Sequence, residues 1–151
     1  MRSRGFTLIE LIVVVAIIAV LATITVDYLG QKRNKGSDAA VQSNMTNARP
    51  QAELYYNNND KSYEGVCTAA DGIATFVHAA ATAYGITPQS SYDDADASVW
   101  NQEICHDTDT SYVVWVPLRD STSGSPMGWC TDSRNMAARA SSVASGAFFC
   151  P

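Results

Sequence analysis

RGFTLIELIVVVAIIAVLATITV, Arg4 to Val26, decides how the rest of the chain is read. Phe6 to Val26 makes 21 residues, about 31 Å of α-helix at 1.5 Å per residue, which matches the hydrocarbon core of a bilayer. A helix this apolar on all sides needs lipid or a large protein around it, and the remaining chain is too short to supply the second. One carboxylate, Glu10, interrupts the run. An ordinary secretory signal would share the basic start, Arg2 and Arg4, and Val20-Leu21-Ala22 would serve as its small-residue cleavage site. Inside such a signal a charged acid costs a few kcal/mol and contributes nothing. Glu10 therefore points to a retained segment in which the acid finds a partner. The nearby cations are Arg4 and, if the Gly5–Phe6 bond is cut, the new α-amine of Phe6, one helical turn away.

Outward from this segment the composition changes. Of 151 residues, 46% are apolar and 17% charged, which suits one small domain plus one membrane-type segment rather than two sizeable cores. The net charge is -5, and removal of Arg2 and Arg4 with a leader leaves eight basic residues against fifteen acidic ones. That balance argues against a broad phosphate-binding surface. Cys67, Cys105, Cys130 and Cys150 all lie beyond the apolar segment, so they read as disulfides of an exported domain, in any of three pairings. Zinc fits poorly, since no two cysteines are spaced C-x-x-C and the histidines are His78 and His106 alone.

The N-terminal residues carry a resemblance. RGFTLIELIVVVAIIAVLA is similar to the class III signal of type IV prepilins and of the related pseudopilins of type II secretion, with Gly5, Phe6, Thr7, Leu8 and Glu10 matching the motif. The resemblance implies a leader, residues 1–5, removed after Gly5 on the cytoplasmic side by a prepilin peptidase that also methylates Phe6. It implies that Glu10, beside Thr7, meets the N-terminus of a neighbouring subunit during assembly. Charge alone does not orient the segment, because Lys32, Arg33 and Lys35 balance the leader's cations; the resemblance puts the leader inside and the body outside.

The implied fold is α+β: a long N-terminal α-helix, its first half transmembrane, packed on a small antiparallel β-sheet head. The expected divisions are a hydrophobic transmembrane and polymerisation helix at 6–29, its amphipathic continuation at 30–58, and a disulfide-bonded head at 59–151. Val41, Met45, Ala48, Ala52 and Tyr55 form one apolar stripe at i, i+4, i+7, i+11 and i+14. Unbroken from Phe6 to Tyr56, the helix would be about 76 Å long. Gly30 and Gly36 bracket QKRNK and each costs about 1 kcal/mol relative to Ala, making Asp27 to Gly36 a weak place that could extend in an assembled fibre. Pro50 predicts a kink or a break near Thr46 to Pro50.

NNNDKSYEGVC, Asn57 to Cys67, ends the helical pattern. DGIATFVHAAATAYG then predicts a short helix with Ile73, Phe76, Val77, Ala80 and Tyr84 on one face, Asp71 as cap and Gly85 as stop. SYVVWVPL, Ser111 to Leu118, predicts a strand that pairs in a hairpin with MGWCTD, and GAFFC, Gly146 to Cys150, a further strand. Many type IV pilins carry a disulfide-bounded loop near the C-terminus. The resemblance thus implies Cys130 with Cys150, leaving Cys67 with Cys105.

Candidate chemistry is sparse. Asp93, Asp94 and Asp96 in SYDDADAS, with Asp107 and Asp109 in HDTDTS, invite a calcium reading, but neither stretch matches an EF-hand loop, and no metal or other cofactor is expected. His78 has no acidic or cysteine partner at helical spacing. No catalytic residue is expected either: neither histidine lies in a G-x-S-x-G, H-E-x-x-H or Cys-His context, which argues against an enzyme. Arg134 and Arg139, between Cys130 and Cys150, are the candidate contacts should nucleic acid bind, which the acidic total disfavours.

The function expected from the resemblance is structural: a type IV pilus subunit for adhesion, twitching motility or DNA uptake, a single-pass cytoplasmic membrane protein before assembly and extracellular afterwards. Its partners would be copies of itself in a helical filament, the peptidase and the assembly platform. The alternatives are a type II secretion pseudopilin and, in a different class, a membrane-anchored extracytoplasmic binding domain that never polymerises.

Overall fold

Thr7 opens the first helix, α1 (Leu8–Asn58), and the chain runs on through a second helix, α2 (Ala74–Tyr84), into four strands, β1 (Ile104–Asp107), β2 (Tyr112–Pro117), β3 (Gly128–Asp132) and β4 (Ala137–Ala140). The computed structural model describes residues 6–93, 101–119 and 127–151. The chain divides into two compact units between Asn34 and Lys35. The architecture is α+β, a long N-terminal helix with a small antiparallel sheet, as the resemblance implies.

In the first unit the described apolar side chains of α1 belong to no buried core cluster. From Val14, 47% exposed, to Phe6, 79% exposed, the large apolar residues lie open to their surroundings. Among the described residues α1 is the one helix long and apolar enough to cross a membrane.

In the second unit the sequence periodicity becomes packing. Val41, Met45, Ala48, Ala52 and Tyr55 are all buried, along one stripe of α1. With Ile73, Val77 and Ala80 they form a core against Cys105, Tyr112, Val114 and Val116, the residues of one face of the sheet. The other face carries Ile104, Val113, Trp115 and Cys130, covered by Ala140, Val143 and Cys150. Both faces of β2 are therefore covered, which is why its six residues are all buried and its sequence is a continuous apolar run rather than an alternation. The sheet is a meander in the order β1-β2-β3-β4, antiparallel throughout, with Trp115 opposite both Ile104 and Cys130.

Of the kink or break expected at Thr46 to Pro50, the break does not occur: α1 runs on through Pro50. Proline in a helix costs about 3 kcal/mol through the lost N–H and the clash with the preceding turn. Burial of Val41, Met45 and Tyr55 contributes roughly 1.5–3 kcal/mol each, and buried Ala48 and Ala52 hold the helix on both sides of Pro50. Packing wins over propensity. The helix ends at Asn58, followed by left-handed Asp60 and Lys61 at φ 50° and 63°.

Other expectations need correction. Asp71 does not cap α2; Ile73 occupies the N-cap without a side-chain bond, and the Asp71 carbonyl instead accepts a bond from the Gln51 amide. Gly85 stops α2 at φ 101°, its N–H donating to Ala81 at 2.9 Å. The hairpin of β2 and β3 forms, whereas residues 146–150 are not a strand. Two short strands, β1 and β4, flank the hairpin instead.

Candidate functional site

Phe6, Thr7 and Glu10 meet at the start of α1, while Gly5 lies outside the described residues. Glu10 Oε2 accepts two bonds from Thr7, one from its backbone N–H at 2.9 Å and one from its hydroxyl at 2.8 Å. The Glu10 N–H returns a longer contact to Thr7 Oγ1 at 3.4 Å. Thr-Leu-Ile-Glu is thus a capping box, in which the N-cap hydroxyl and the acid three residues later satisfy each other's orphan groups. The sequence reading missed this, although the T-x-x-E spacing before an apolar run is its signature. Phe6, Ile9, Glu10, Val13 and Val14 line a shallow groove on the helix, so the carboxylate sits in an apolar wall.

The disulfides fasten the head. Cys67 bonds to Cys105, joining the loop after α1 to β1, and Cys130 bonds to Cys150, joining β3 to the C-terminal loop. Each has a carboxylate helper that composition did not reveal, half-buried Asp107 for the first and buried Asp132 for the second. Asp107 accepts the Gly65 and Cys67 N–H groups at 3.1 and 2.8 Å. Asp132, 1% exposed, accepts the N–H groups of Arg134 and Met136 on Oδ1 at 3.0 and 3.1 Å, and that of Cys150 on Oδ2 at 3.0 Å. Arg134 adds an ion pair to Oδ2 at 3.2 Å, donates to the Cys150 carbonyl at 3.3 Å and lies 4.0 Å over the Phe149 ring. Its side chain is thus engaged within the loop while remaining 54% exposed. Arg139 stands on β4.

The acidic stretches are partly brought together. Asp93 and Asp107 line one cleft of about 640 Å³ beside the Cys67–Cys105 bond. Asp94 and Asp96 lie outside the described residues, and Asp109 is exposed, its carbonyl accepting from the Tyr63 N–H at 3.0 Å. Among the described residues no group of three His, Cys, Asp or Glu side chains is placed to hold a metal. His78 is half-buried on α2.

Two buried polar groups escaped the sequence reading. Glu103, fully buried, takes the Gln89 N–H on Oε1 at 2.7 Å and the Tyr92 hydroxyl at 3.4 Å, while its Oε2 is buried without a partner. His106, also fully buried, donates from Nδ1 to the Ala147 carbonyl at 2.8 Å, which holds the C-terminal loop to β1. Burial raises the Tyr92 hydroxyl well above its usual range, with Glu103 adding to the effect.

Comparison with known proteins bears on the same N-terminal residues. A family model described as the prokaryotic N-terminal methylation motif matches residues 1–26. The chain is 38% identical over 59 residues to the type IV wide pilus major component PilA4 of Thermus thermophilus, a match covering 39% of this chain. It spans 45% of that relative's length, less than half. No solved structure matches. The chain therefore carries a prokaryotic N-terminal methylation motif, a class III signal, at the head of a pilin-like α+β architecture.

Proposed function

We propose that the protein is a structural subunit of a type IV pilus, cut after Gly5, methylated at Phe6, held in the cytoplasmic membrane by residues 6–29 and then built into an extracellular filament. The observation that carries this reading is the first unit of α1: an apolar helix start whose described large side chains are exposed, with one acid, Glu10, in its wall. Such a surface needs lipid or copies of itself. Helices that leave lipid to bury the same faces on each other change their solvation little, so assembly of this kind can be driven and reversed. The similarity to a protein named as a pilus major component supports a pilus over a secretion fibre, and a structural over a catalytic role.

Two measurements test the proposal. Mass analysis of the N-terminus in the native membrane should show a methylated Phe6; a chain starting after Ala22 would overturn it. Glu10→Ala should insert at the normal level yet lower filament yield at least tenfold, and wild-type yield at normal subunit level would sink the assigned role.

A further inference from the structure

Thr46, Arg49, Pro50 and Glu53 fall at i, i+3, i+4 and i+7, so they share one face of α1. That face lines a cavity of about 250 Å³ together with Tyr112 of β2, Asp132 of β3 and Asn135 of the turn that follows. Thr46, Pro50 and Glu53 are exposed, which gives the cavity a mouth on the surface, whereas Tyr112 and Asp132 are buried.

Polar groups that have lost their ordinary partners gather here. The Thr46 carbonyl would accept the N–H of residue 50 in a regular helix, and residue 50 is proline. Arg49 Nε is buried without a hydrogen-bond partner, while Nη2 donates to the Asn135 carbonyl at 3.1 Å. Arg49 and Glu53 stand at i, i+4, the spacing at which opposite charges on a helix pair. No ion pair joins them, Arg134–Asp132 being the one ion pair among the described residues. Glu53 instead gives Oε1 to the Tyr63 hydroxyl at 2.8 Å, a bond that does not use its Oε2. Asp132 is already saturated by the N–H groups of Arg134, Met136 and Cys150 and by the Arg134 guanidinium. The cavity thus offers a cationic donor, Arg49, and two acceptors, Glu53 and the Thr46 carbonyl, within about two helical turns.

We infer that this cavity binds a small zwitterion, a free α-amino acid, with its carboxylate on Arg49 and its ammonium on Glu53 and the Thr46 carbonyl. A lone anion would meet Arg49 against the repulsion of Glu53, and a lone cation would meet the reverse. A molecule bearing both charges satisfies all three groups at once, and the volume admits one small organic molecule. Pro50 then has a use that its cost to the helix conceals, because it is the residue that leaves the Thr46 acceptor open.

Saturation-transfer NMR of the full chain in dodecyl maltoside micelles tests this with L-alanine, with propionate, which lacks its ammonium, and with ethylamine, which lacks its carboxylate. The L-alanine methyl should be saturated, and each single-charge analogue should bind about tenfold more weakly or worse, since each leaves a charged group unmet. Arg49→Gln and Glu53→Gln should each weaken L-alanine by about tenfold or more on the same ground. Pro50→Ala returns an N–H to the Thr46 carbonyl, so it should raise the thermal midpoint of the chain and yet weaken L-alanine by roughly threefold or more. A purely structural role for these residues would move stability and binding in the same direction. No saturation of L-alanine at millimolar concentration would leave water as the occupant and overturn the assignment. Propionate bound as tightly as L-alanine would mark an adventitious ion only and overturn it as well. Wild-type affinity for L-alanine in Arg49→Gln or in Pro50→Ala would do the same.

Discussion

Asp132→Asn isolates what holds the C-terminal loop. The substitution keeps shape and removes charge, leaving one carbonyl oxygen and one amide nitrogen where two acceptor oxygens stood. Oδ1 serves two backbone N–H groups, and Oδ2 serves the Cys150 N–H and Arg134. Whichever way the amide turns, its NH2 faces at least one backbone N–H. If the oxygen stays with Arg134 and Met136, the Cys150 N–H loses a bond to a charged acceptor, about 1.5–3 kcal/mol, and remains buried without a partner, about 1–3 kcal/mol more. The expected loss is roughly 2–5 kcal/mol, because the two terms overlap. Arg134→Ala should cost far less, under about 1 kcal/mol, since the Arg134 side chain is 54% exposed and its pair is screened. The assay is reduction of Cys130–Cys150 by dithiothreitol, followed by alkylation and mass analysis. A local opening made easier by about 2 kcal/mol or more speeds reduction at least 30-fold. Cys67–Cys105, held by Asp107, serves as the internal control. Equal effects of the two substitutions, or an unchanged rate in Asp132→Asn, would refute the assignment of Asp132 as the centre of the loop's attachment.

Gly128→Ala places a Cβ 2.1 Å from Trp115 Cε2 in a packed layer, so thermal stability should fall by at least the 1–3 kcal/mol typical of overpacking, about, with a shift in tryptophan fluorescence; an unchanged midpoint would contradict the packing. Thr7→Val removes the capping hydroxyl but spares the Thr7 N–H, and should weaken the first turn by about 0.5–2 kcal/mol, read as faster amide exchange at Leu8 to Leu11 in micelles, with Thr7→Ser restoring protection. Burial first, then the acid Glu53 for Tyr63 and Glu103 for Tyr92, raises these hydroxyls, and burial does the same for Tyr112. The unfolded chain releases those protons near pH 10 while the folded chain keeps them, so stability is intact below about pH 10 and falls as pH rises beyond it. Absorbance at 295 nm should therefore show part of the phenolate signal appearing only with unfolding; full titration in the folded state would refute the burial.

What the sequence showed and what it hid follow the range of the forces involved. The α1 stripe was legible because Val41 to Tyr55 repeats at helical spacing within one element, and the β2 run because six buried residues in a row leave a composition signal. β1 and β4 were not legible: ICHD and AARA are four residues each, and only pairing with β2 and β3 makes them strands. GAFFC has strand composition yet is not one. The Cys150 N–H goes to Asp132 and the Ala147 carbonyl to His106, so side chains distant in sequence take the bonds a ladder would have used. The break allowed for at Pro50 fails to occur for the same reason, since the tertiary packing that outweighs it is absent from any local window. Glu103, Asp107 and Asp132 look like ordinary surface acids in the sequence, and become acceptors of long-range hydrogen bonds, Glu103 and Asp132 fully buried and Asp107 half-buried, through the loops that wrap them.

The capping box changes what Glu10 has to do. An acid in a membrane span was expected to wait for a cation, with lipid penalising it until a neighbour arrived. Thr7 already gives Oε2 two donors in the same chain, so rescue of a stranded carboxylate is not required to drive assembly. If copies of the chain pack their apolar helices together, sliding one helix past another by a turn exchanges similar aliphatic surface for similar aliphatic surface. The free energy then changes little with register. A second contact to the Glu10 carboxylate is available at few positions, and each wrong position leaves a cation desolvated without a partner. On the pilin reading Glu10 therefore acts as the choice of register in an otherwise permissive apolar surface. Glu10→Gln separates the two roles: it keeps an oxygen for the Thr7 donors and removes the charge. Normal insertion with few or disordered fibres would follow from a register role, whereas ordered wild-type fibres would show that the Thr7 contact alone is what Glu10 provides.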